Sequence, residues 1–454
     1  MSTDQLRTAD VAGQAGEPGT EPAPSTALLT DHYELTMLRG ALHSGVAHRL
    51  AVFEMFARQL PSGRRYGVVA GTGRLLEALA RFRFGDTELA FLERAGIADD
   101  VTLEYLRTYQ FSGNIWGYAE GDCYFPGSPI IVVEGTFAEA VILETLVLSI
   151  LNHDCAIASA ASRMVTAAGG RPLIEMGSRR THERAGVAAA RAAYIAGFAT
   201  TSNLQAGLSY GVPTSGTSAH AFTLVHDSEQ QAFEAQVAAL GSATTLLVDT
   251  YDVTTAVTTA VRAAGQGLGA VRIDSGDLQL VAPAVRAQLD SLGAANTRIV
   301  LTGDLDEYSI AALAASPVYG YGVGTSLVTG SGAPTAALVY QLVARQDSQL
   351  PGTLRPVAKR SVGKPSRGGR KWAARELDDS GTAVTELVTD QPDVAQRGRP
   401  LLHLLVRDGE LIGAEPLEAA RERHQRAVAE LPAHARRLSR GYPAIPTIFE
   451  PDSA

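Results

Sequence analysis

Residues 269–277 read GAVRIDSGD, a short β-like run that ends in polar residues and glycine. Six more runs of this kind lie around it: RPLIEMGSRR (171–180), GFATTSN (197–203), VPTSGTSAH (212–220), TTLLVDTYD (244–252), TRIVLTGD (297–304) and VYGYGVGTS (318–326). Most are followed by an alanine-rich helical stretch, and such alternation predicts parallel strands joined by right-handed crossovers. The pattern predicts an α/β fold with an irregular β/α barrel of seven or so parallel strands. A doubly wound sheet is the alternative, because a sequence does not show whether a sheet closes.

The residues on either side of these runs predict the domain organisation. Residues 1–27 are rich in Gly, Pro, Ser, Thr and acidic side chains, which predicts a flexible tail. Residues 28–165 mix helical and strand patterns and predict an N-terminal α+β domain, and residues 166–345 form the predicted β/α-barrel catalytic domain. Proline and glycine mark a boundary at 346, and we expect residues 346–454 to pack on the N-terminal domain.

Composition excludes several classes of function. The chain has 39 basic and 48 acidic side chains, a formal charge of -9, which argues against a nucleic-acid-binding surface. Its two cysteines, Cys123 and Cys155, form no CxxC pair, so neither a disulfide scaffold nor a cysteine-ligated zinc site is expected. A reducing, cytoplasmic location is the default expectation.

No segment predicts export or a membrane span. The N-terminus has neither a basic start nor an apolar core of the kind that signal peptides carry. The most apolar long stretch, AVILETLVLSIL (140–151), contains Glu144 and is too short to cross a bilayer. We interpret it as a buried helix.

Polar residues cluster at the ends of the predicted strands, where a β/α barrel collects its active site. These strand-end residues are Arg179, Asn203, Thr217, His220, Asp249, Arg272, Asp274, Asp304 and Thr325. A purely structural barrel also begins its loops with polar residues, but seven ends rich in Gly, Asp, Arg, Thr or His favour a site.

Arg272 and Asp274 lie at i and i+2, on the same side of one strand. An arginine fork at a strand end suits a phosphate or a carboxylate, and Asp274 with Asp277 could hold Mg²⁺ or sugar hydroxyls. An internal Arg–Asp ion pair is the competing interpretation. His220 is a candidate base or phosphoryl acceptor, or else a structural histidine.

Glycines in TGDL (302–305) and YGVGTS (321–326) would let backbone N–H groups approach a phosphate closely. Two such sites in consecutive barrel units fit the phosphate site that barrels often build at their last two strands. The basic segment 359–371, which holds all three lysines of the chain, is either a mobile flap over the phosphates or a solvated loop.

Two other motifs are weaker. GLSYG (207–211) matches the Gly-x-Ser-x-Gly of a serine hydrolase, with Ser209 as nucleophile, but it precedes a strand-like run instead of following one. Gly363-Lys364 is followed by Pro365, so a Walker A phosphate loop is absent.

The motifs taken together resemble one family. TDHYELTM, EMGSRR, TTSNLQAG, GTSAHAF, VDTYD, RIDSGDL, TGDLDEY and YGVGTSLVT occur in this order between Leu28 and Lys371. This set resembles nicotinate phosphoribosyltransferase. LLVDTYD lacks the adjacent Asp-Asp of type I phosphoribosyltransferases, which agrees with the type II, barrel-containing class.

The resemblance implies roles for individual residues. His220 matches the histidine that ATP phosphorylates, and Asp274 is placed for the ribose or Mg²⁺. The implied nicotinate contacts are Tyr33 (from the other subunit of a homodimer), Thr217, Arg272, Arg179 and Asn203. The implied contacts to phosphoribosyl pyrophosphate (PRPP) and its phosphates are Thr325, Gly324, Gly303, Asp304 and Ser275.

The resemblance also implies a reaction: nicotinate displaces pyrophosphate from PRPP, with Mg²⁺ as cofactor and ATP as co-substrate, in NAD biosynthesis. Nicotinamide phosphoribosyltransferase is the nearest rival, but that family has a carboxylate where Asn203 stands, so the neutral side chain favours the acid. A serine hydrolase and a non-catalytic metabolite-binding barrel are the alternatives from other classes.

Overall fold

The computed structural model describes residues 24–350, 352–360 and 366–450. Most of the predicted tail (1–23) and the Gly363-Lys364-Pro365 sequence lie outside the described residues.

The helices in the described ranges alternate with strands over the middle of the chain. They are α1 (His32–His43), α2 (Thr72–Leu79), α3 (Asp86–Arg94), α4 (Asp100–Arg107), α5 (Phe137–Val141), α6 (Glu144–Ala168), α7 (Glu183–Ile195), α8 (Leu204–Tyr210), α9 (His220–Leu224), α10 (Glu229–Leu240), α11 (Val253–Ala264), α12 (Leu278–Ser291), α13 (Glu307–Ala312), α14 (Thr325–Val328) and α15 (Leu417–Glu430). Single 3-10 turns occupy Ala27–Leu29, Ser178–Arg180, Val394–Gln396 and Ala433–Arg436.

The strands form one parallel sheet and three further sheets. They are β1 (Leu50–Ala57), β2 (Gly67–Val68), β3 (Asn114–Tyr118), β4 (Cys123–Tyr124), β5 (Ile131–Thr136), β6 (Leu173–Glu175), β7 (Thr200–Thr201), β8 (Thr245–Leu247), β9 (Ala270–Ile273), β10 (Arg298–Leu301), β11 (Gly320–Val323), β12 (Leu338–Gln346), β13 (Leu354–Pro356), β14 (Trp372–Leu377), β15 (Ala383–Thr389), β16 (Arg399–Pro400), β17 (Leu402–Arg407), β18 (Glu410–Leu411) and β19 (Thr447–Phe449).

The parallel sheet carries the strand ends that the sequence singled out. Its order is β7-β6-β11-β10-β9-β8, and its paired strands are parallel throughout. The strands follow chain order around a ring, because the last strand, β11, pairs with the first, β6. The ring is open between β7 and β8. The fold is thus a mixed α/β fold with a curled, half-barrel parallel sheet.

The expected seventh strand is not formed. In residues 212–220 the described backbone makes only an isolated parallel bridge, between Thr201 and Thr214. Pro213 has no N–H to donate to a ladder, and Gly211 and Gly216 on either side weaken an extended pairing. The segment lies between β7 and β8 in the chain, where the ring of strands is open.

A second sheet joins the two ends of the chain. Its order is β13-β12-β1-β5-β3-β17-β18, so three strands from before the parallel sheet lie in the middle and two strands from after it lie on each side. Seven residues of β1 pair with β12 and six with β5, so β1 is an interior strand that is paired along both edges. The domain boundaries given above stay predictions.

Helix α6 connects the two halves of the core. The stretch Phe137–Ala168 is long and apolar enough to cross a membrane by length and composition, but 67% of its most apolar window is buried inside the protein. Its residues Leu146 and Val147 pack into the core around the seven-stranded sheet, and Ile157 and Ala161 into the core around the parallel sheet. It is a central core helix, as the sequence predicts. Cys123 and Cys155 are both buried and free.

Candidate active site

Arg272 forms the centre of a polar cluster at the carboxyl end of the parallel sheet. It is buried on β9, and its guanidinium donates to Thr302 Oγ1 (2.9 Å), Thr217 Oγ1 (3.0 Å) and Asp274 Oδ1 (3.2 Å). A longer bond of 3.5 Å runs to the carbonyl of Ser218. These four bonds occupy four of the five N–H groups of a guanidinium. One N–H is left for a substrate, so Arg272 offers a single directed contact instead of a free fork.

Two aspartates stand side by side just past the ends of the neighbouring strands β8 and β9. Asp249 Oδ2 accepts from the backbone N–H of Asp274 (2.9 Å) and from the hydroxyl of Ser275 (2.6 Å). Asp249 Oδ1 is buried and has no hydrogen-bond partner among the described residues. Partial burial raises the pKa of Asp274, but bonds from Thr302 and Arg272 outweigh that effect and hold the pKa below its usual value. Asp274 is therefore an anion at neutral pH.

His220 lies beside this cluster at the start of α9. Its Nδ1 is 3.1 Å from the hydroxyl of Thr250, and the ring lies near enough to Asp274 to contribute to the lowered pKa of that carboxyl. When Nδ1–H donates to Thr250, the lone pair of Nε2 is free to act as a nucleophile. The contact thus fits the predicted phosphoryl acceptor.

Two backbone turns lie next to the cluster, and the one at Gly303 requires glycine. Gly303 has φ +121°, and a Cβ there would lie 2.5 Å from the carbonyl oxygen of Asp274. The following residue, Asp304, also has a positive φ of 51°. Gly324 directly follows β11, and Thr325 begins α14 beside it with an exposed side chain. Both turns expose backbone next to the site, as the predicted phosphate contacts need.

Arg179 and Asn203 lie on the loops that follow β6 and β7. The Arg179 side chain is exposed and forms no ion pair with any described residue. Asn203 Oδ1 accepts from Ala206 N–H (2.9 Å) and caps α8, while Nδ2 donates to Ser178 (2.9 Å). Asn203 thus ties the two loops together, in addition to any contact with a substrate.

Among the described residues, no hydrogen bond connects Tyr33 directly to Arg272 or Thr217 in this cluster. Tyr33 lies on α1, 44% exposed, and burial raises its pKa, with Glu144 adding to the effect as its hydrogen-bond partner. The expectation that it serves a second subunit's site stays a prediction.

Some basic side chains of the segment 359–371 are held by contacts within the protein. Lys371 is buried, and its ammonium donates to Glu54 on β1 at 2.8 Å. It is therefore a structural ion pair and not a cation of a flap. Arg367 packs over the ring of Phe449, with 4.2 Å from its guanidinium carbon to the ring centroid. Residues 361–365 lie outside the described residues, so the flap itself stays a prediction.

The hydrolase interpretation fails on geometry. Ser209 lies within the last turn of α8, not on a strand-to-helix elbow, and its hydroxyl accepts from Gln205 one turn earlier (2.8 Å). A nucleophile elbow needs the serine at the end of a strand with a base in reach.

Several residues of the site carried no assigned role in the sequence. Asp249 and Thr302 each come directly after an apolar run, LLV and IVL, which is a signal that marks the first polar residue past a buried strand. Thr250 and Glu175 gave no signal of their own. Their contacts run between different strand ends, so only the fold reveals them.

Known proteins share this sequence and fold. Residues 28–152 match the family model of the nicotinate phosphoribosyltransferase (NAPRTase) N-terminal domain. The nicotinate phosphoribosyltransferase pncB1 of Mycobacterium tuberculosis is 59% identical over 443 residues, covering 95% of this chain and 96% of that protein. The chain belongs to the nicotinate phosphoribosyltransferase family.

More distant members agree with this assignment. The Bacillus subtilis nicotinate phosphoribosyltransferase is 35% identical, over 78% of this chain and 74% of that protein. A crystal structure of human nicotinic acid phosphoribosyltransferase superposes with a TM-score of 0.77 at 26% identity, covering 93% of this chain and 97% of that one. The family resemblance found in the sequence is confirmed, and the chain shares the fold of the human protein.

Proposed function

We propose that this protein is a nicotinate phosphoribosyltransferase of NAD biosynthesis, which forms nicotinate mononucleotide and pyrophosphate from nicotinate and PRPP. The observation that carries the proposal is the 59% identity to the M. tuberculosis enzyme over 95% of the chain. The polar cluster around Arg272 at the carboxyl edge of the sheet supports it, because this is where such sheets bind substrates.

The reaction needs positioning and charge stabilisation more than proton transfer. The pyridine nitrogen of nicotinate attacks C1 of PRPP, the new N–C1 bond forms, the C1–O bond breaks, and pyrophosphate leaves with the bonding electrons. No proton moves, so no general base is required. Arg179 and the remaining N–H of Arg272 supply positive charge for the nicotinate carboxylate, and the anionic Asp274 faces the positive charge that develops on the ribose.

Mg²⁺ fits the donor set only as a partner of the substrate. Among the described residues no group of three or more His, Cys, Asp or Glu side chains could hold a metal ion by itself. Asp274 and the unpartnered Oδ1 of the buried Asp249 would hold it together with the phosphates of PRPP, the usual arrangement for this ion. When bound, it would neutralise charge on the leaving pyrophosphate.

His220 gives ATP a way to couple to the reaction. We assign it as the phosphoryl acceptor: Nε2 attacks the γ-phosphorus of ATP, the Nε2–P bond forms, and ADP leaves. Water later cleaves the N–P bond and releases phosphate. The supporting observation is the 3.1 Å contact between Nδ1 and Thr250, which orients the ring next to Asp274.

A homodimer with shared active sites would complete the site. The helices that follow the site loops expose large apolar side chains, with Leu204 77% and Leu208 82% exposed on α8. Exposed apolar clusters of this kind mark interfaces. In such a dimer the partner subunit's Tyr33 would reach the nicotinate.

For the location of the reaction, the proposal is the cytoplasm.

The choice of nicotinate over nicotinamide would follow from charge. Asn203 is neutral, and its amide is bonded to Ser178 and to the first turn of α8. No carboxylate at this position repels the substrate's own carboxylate, and the exposed Arg179 attracts it.

The deciding experiment measures product formation from PRPP and Mg²⁺ with nicotinate or nicotinamide, each with and without ATP. Nicotinate mononucleotide that forms faster with ATP, with matching ADP release, is the expected result. Turnover of nicotinamide alone would overturn the substrate assignment. If neither nicotinate nor nicotinamide gave a product, the protein would be better interpreted as a non-catalytic metabolite-binding barrel.

A further inference from the structure

Glu175 is a fully buried carboxylate at the end of β6, with 0% of its surface exposed. Its Oε1 accepts from the backbone N–H of Gly177 (2.5 Å), and its Oε2 accepts from the hydroxyl of Thr201 on β7 (2.5 Å). No described Arg, Lys or His forms an ion pair with it. A buried carboxylate without a cation is costly, which is reason to ask what it does.

The two hydrogen bonds of Glu175 belong to a closed ring that joins two loops. The hydroxyl of Thr201 also accepts from the backbone N–H of Asn203 (2.9 Å). The amide of Asn203 in turn donates to Ser178, on the loop that Glu175 holds through Gly177 (2.9 Å). One loop carries Arg179 and the other carries Asn203, so the ring fixes the spacing between both proposed nicotinate contacts.

The neighbouring phosphate loop has anchors of its own. Past Thr325, the carbonyl of Gly330 accepts from the buried Arg64 (2.6 Å), and Ser331 bonds to Glu307. The loop that Glu175 holds meets this region through the backbone N–H of Met176, which donates to the carbonyl of Val323 (2.8 Å), and through Gly177, where an added Cβ would lie 2.2 Å from Val328 Cγ1. Neither contact uses the carboxylate of Glu175. Loss of the Glu175 bonds should therefore disturb the nicotinate side of the site more than the PRPP side.

We propose that Glu175 is a positioning residue that holds Arg179 and Asn203 at the spacing nicotinate requires. This inference rests on the proposed function. Glu175 acts through Gly177 and Thr201 and does not touch the substrate. Its chemistry suits the task, because a carboxylate offers two acceptor oxygens and no donor. An amide offers one acceptor, and its NH₂ would face either the N–H of Gly177 or the hydroxyl of Thr201.

The test uses two substitutions that change the side-chain volume little. Glu175→Gln replaces one acceptor oxygen of the ring with a donor, and Thr201→Val removes the hydroxyl. We expect the KM for nicotinate to rise about 10-fold or more in both variants, since small misplacements of binding groups cost up to about 100-fold. The KM for PRPP should change less than about 3-fold. Thr201→Ser keeps the hydroxyl and should restore the wild-type KM for nicotinate.

A matched control separates positioning from stability. Glu139 is also an acceptor-only carboxylate, bonded to Ser112 and Thr136 around the start of α5 and away from the site. Glu139→Gln should lower the Tm and leave the KM for nicotinate unchanged. Thr201→Val keeps the test valid if Glu175→Gln does not fold, because valine has nearly the shape of threonine and the substitution leaves the bond between Glu175 and Gly177 in place.

The outcomes distinguish this inference from the function on which it rests. If the wild-type protein makes no nicotinate mononucleotide, the proposed function is wrong. If the wild type is active and folded Thr201→Val has an unchanged KM for nicotinate, the positioning role is wrong. An equal rise in the KM for both substrates, or failure of Thr201→Ser to restore the wild-type value, would also overturn it.

Discussion

The guanidinium of Arg272 donates to the hydroxyl of Thr217 at 3.0 Å, across 55 residues of chain. The same guanidinium bonds to Thr302, 30 residues further on, at 2.9 Å. Arg272 thus connects the loop that precedes His220 with the turn that contains Gly303. Its orientation is fixed before any substrate arrives, and such preorganisation is what makes charge effective in catalysis.

Arg272→Lys should show how much the fork geometry contributes. A lysine keeps the charge but has a single ammonium that cannot reach Thr302, Thr217 and Asp274 together. Charge-assisted hydrogen bonds contribute roughly 1.5–3 kcal/mol each, so we expect kcat/KM for nicotinate to fall at least about 10-fold. Steady-state kinetics at saturating PRPP measure this.

Arg298→Lys is the matched control for that substitution. Arg298 begins the neighbouring strand β10 at the opposite edge of the sheet, where it packs over Tyr319. Its activity should stay within about 3-fold of wild type. A loss as large as that of Arg272→Lys would show that any change of arginine in the sheet impairs the enzyme.

His220→Asn should abolish ATP coupling and leave a basal reaction. Asparagine fills similar space but has no nitrogen that accepts a phosphoryl group. We expect ADP release to disappear and nicotinate mononucleotide to form at the ATP-independent rate of the wild type. The ratio of ADP to product, measured in one assay, checks this, and unchanged coupling would contradict the role of His220.

Gly303→Ala should destabilise the protein and impair the site. A left-handed backbone costs a non-glycine residue about 1–3 kcal/mol, and the added Cβ would also lie 2.5 Å from the carbonyl oxygen of Asp274. Gly265→Ala is the control, because Gly265 also has a positive φ of +72° but nothing lies within 4 Å of its Cβ. Gly303→Ala should lower the Tm more and reduce kcat/KM, whereas Gly265→Ala should lower only the Tm.

Acid should weaken the fold through His424. Complete burial lowers the pKa of His424 to about 4, although the carbonyl of Gly121 accepts from its Nδ1 at 3.0 Å. Between the ordinary pKa of about 6.5 and the folded value, the unfolded chain binds a proton that the folded chain does not. Stability therefore falls as the pH drops through this window, by roughly 3 kcal/mol at pH 4.

His424→Asn removes this titration. The Tm of this variant should lie below that of the wild type by the largest amount at pH 7, and the difference between the two Tm values should decrease steadily toward pH 4.5. His32→Asn, which replaces an exposed histidine on α1, controls for the substitution itself. A His424→Asn deficit that stays constant over this range would contradict the assigned cause.

The sequence predicted the elements of the site better than their contacts. Arg272 and Asp274 were expected on one side of a strand, and the structure places them 3.2 Å apart. The sequence predicted a tight turn at Gly303, and the positive φ of this residue agrees with it, while its contact with a phosphate stays a prediction. The strand expected at 212–220 was wrong, because Pro213 and the glycines around it do not sustain a ladder.

The sequence by itself determined the alternation of strands and helices, and with it the parallel sheet and the polar residues at its carboxyl edge. These follow from local periodicity and from the rule that parallel strands end on the same side. Only the tertiary structure decided that β11 pairs with β6, that the ring opens between β7 and β8, and that Asp249 and Glu175 face their partners. Those features depend on register and burial between segments far apart in the chain, which no local pattern encodes.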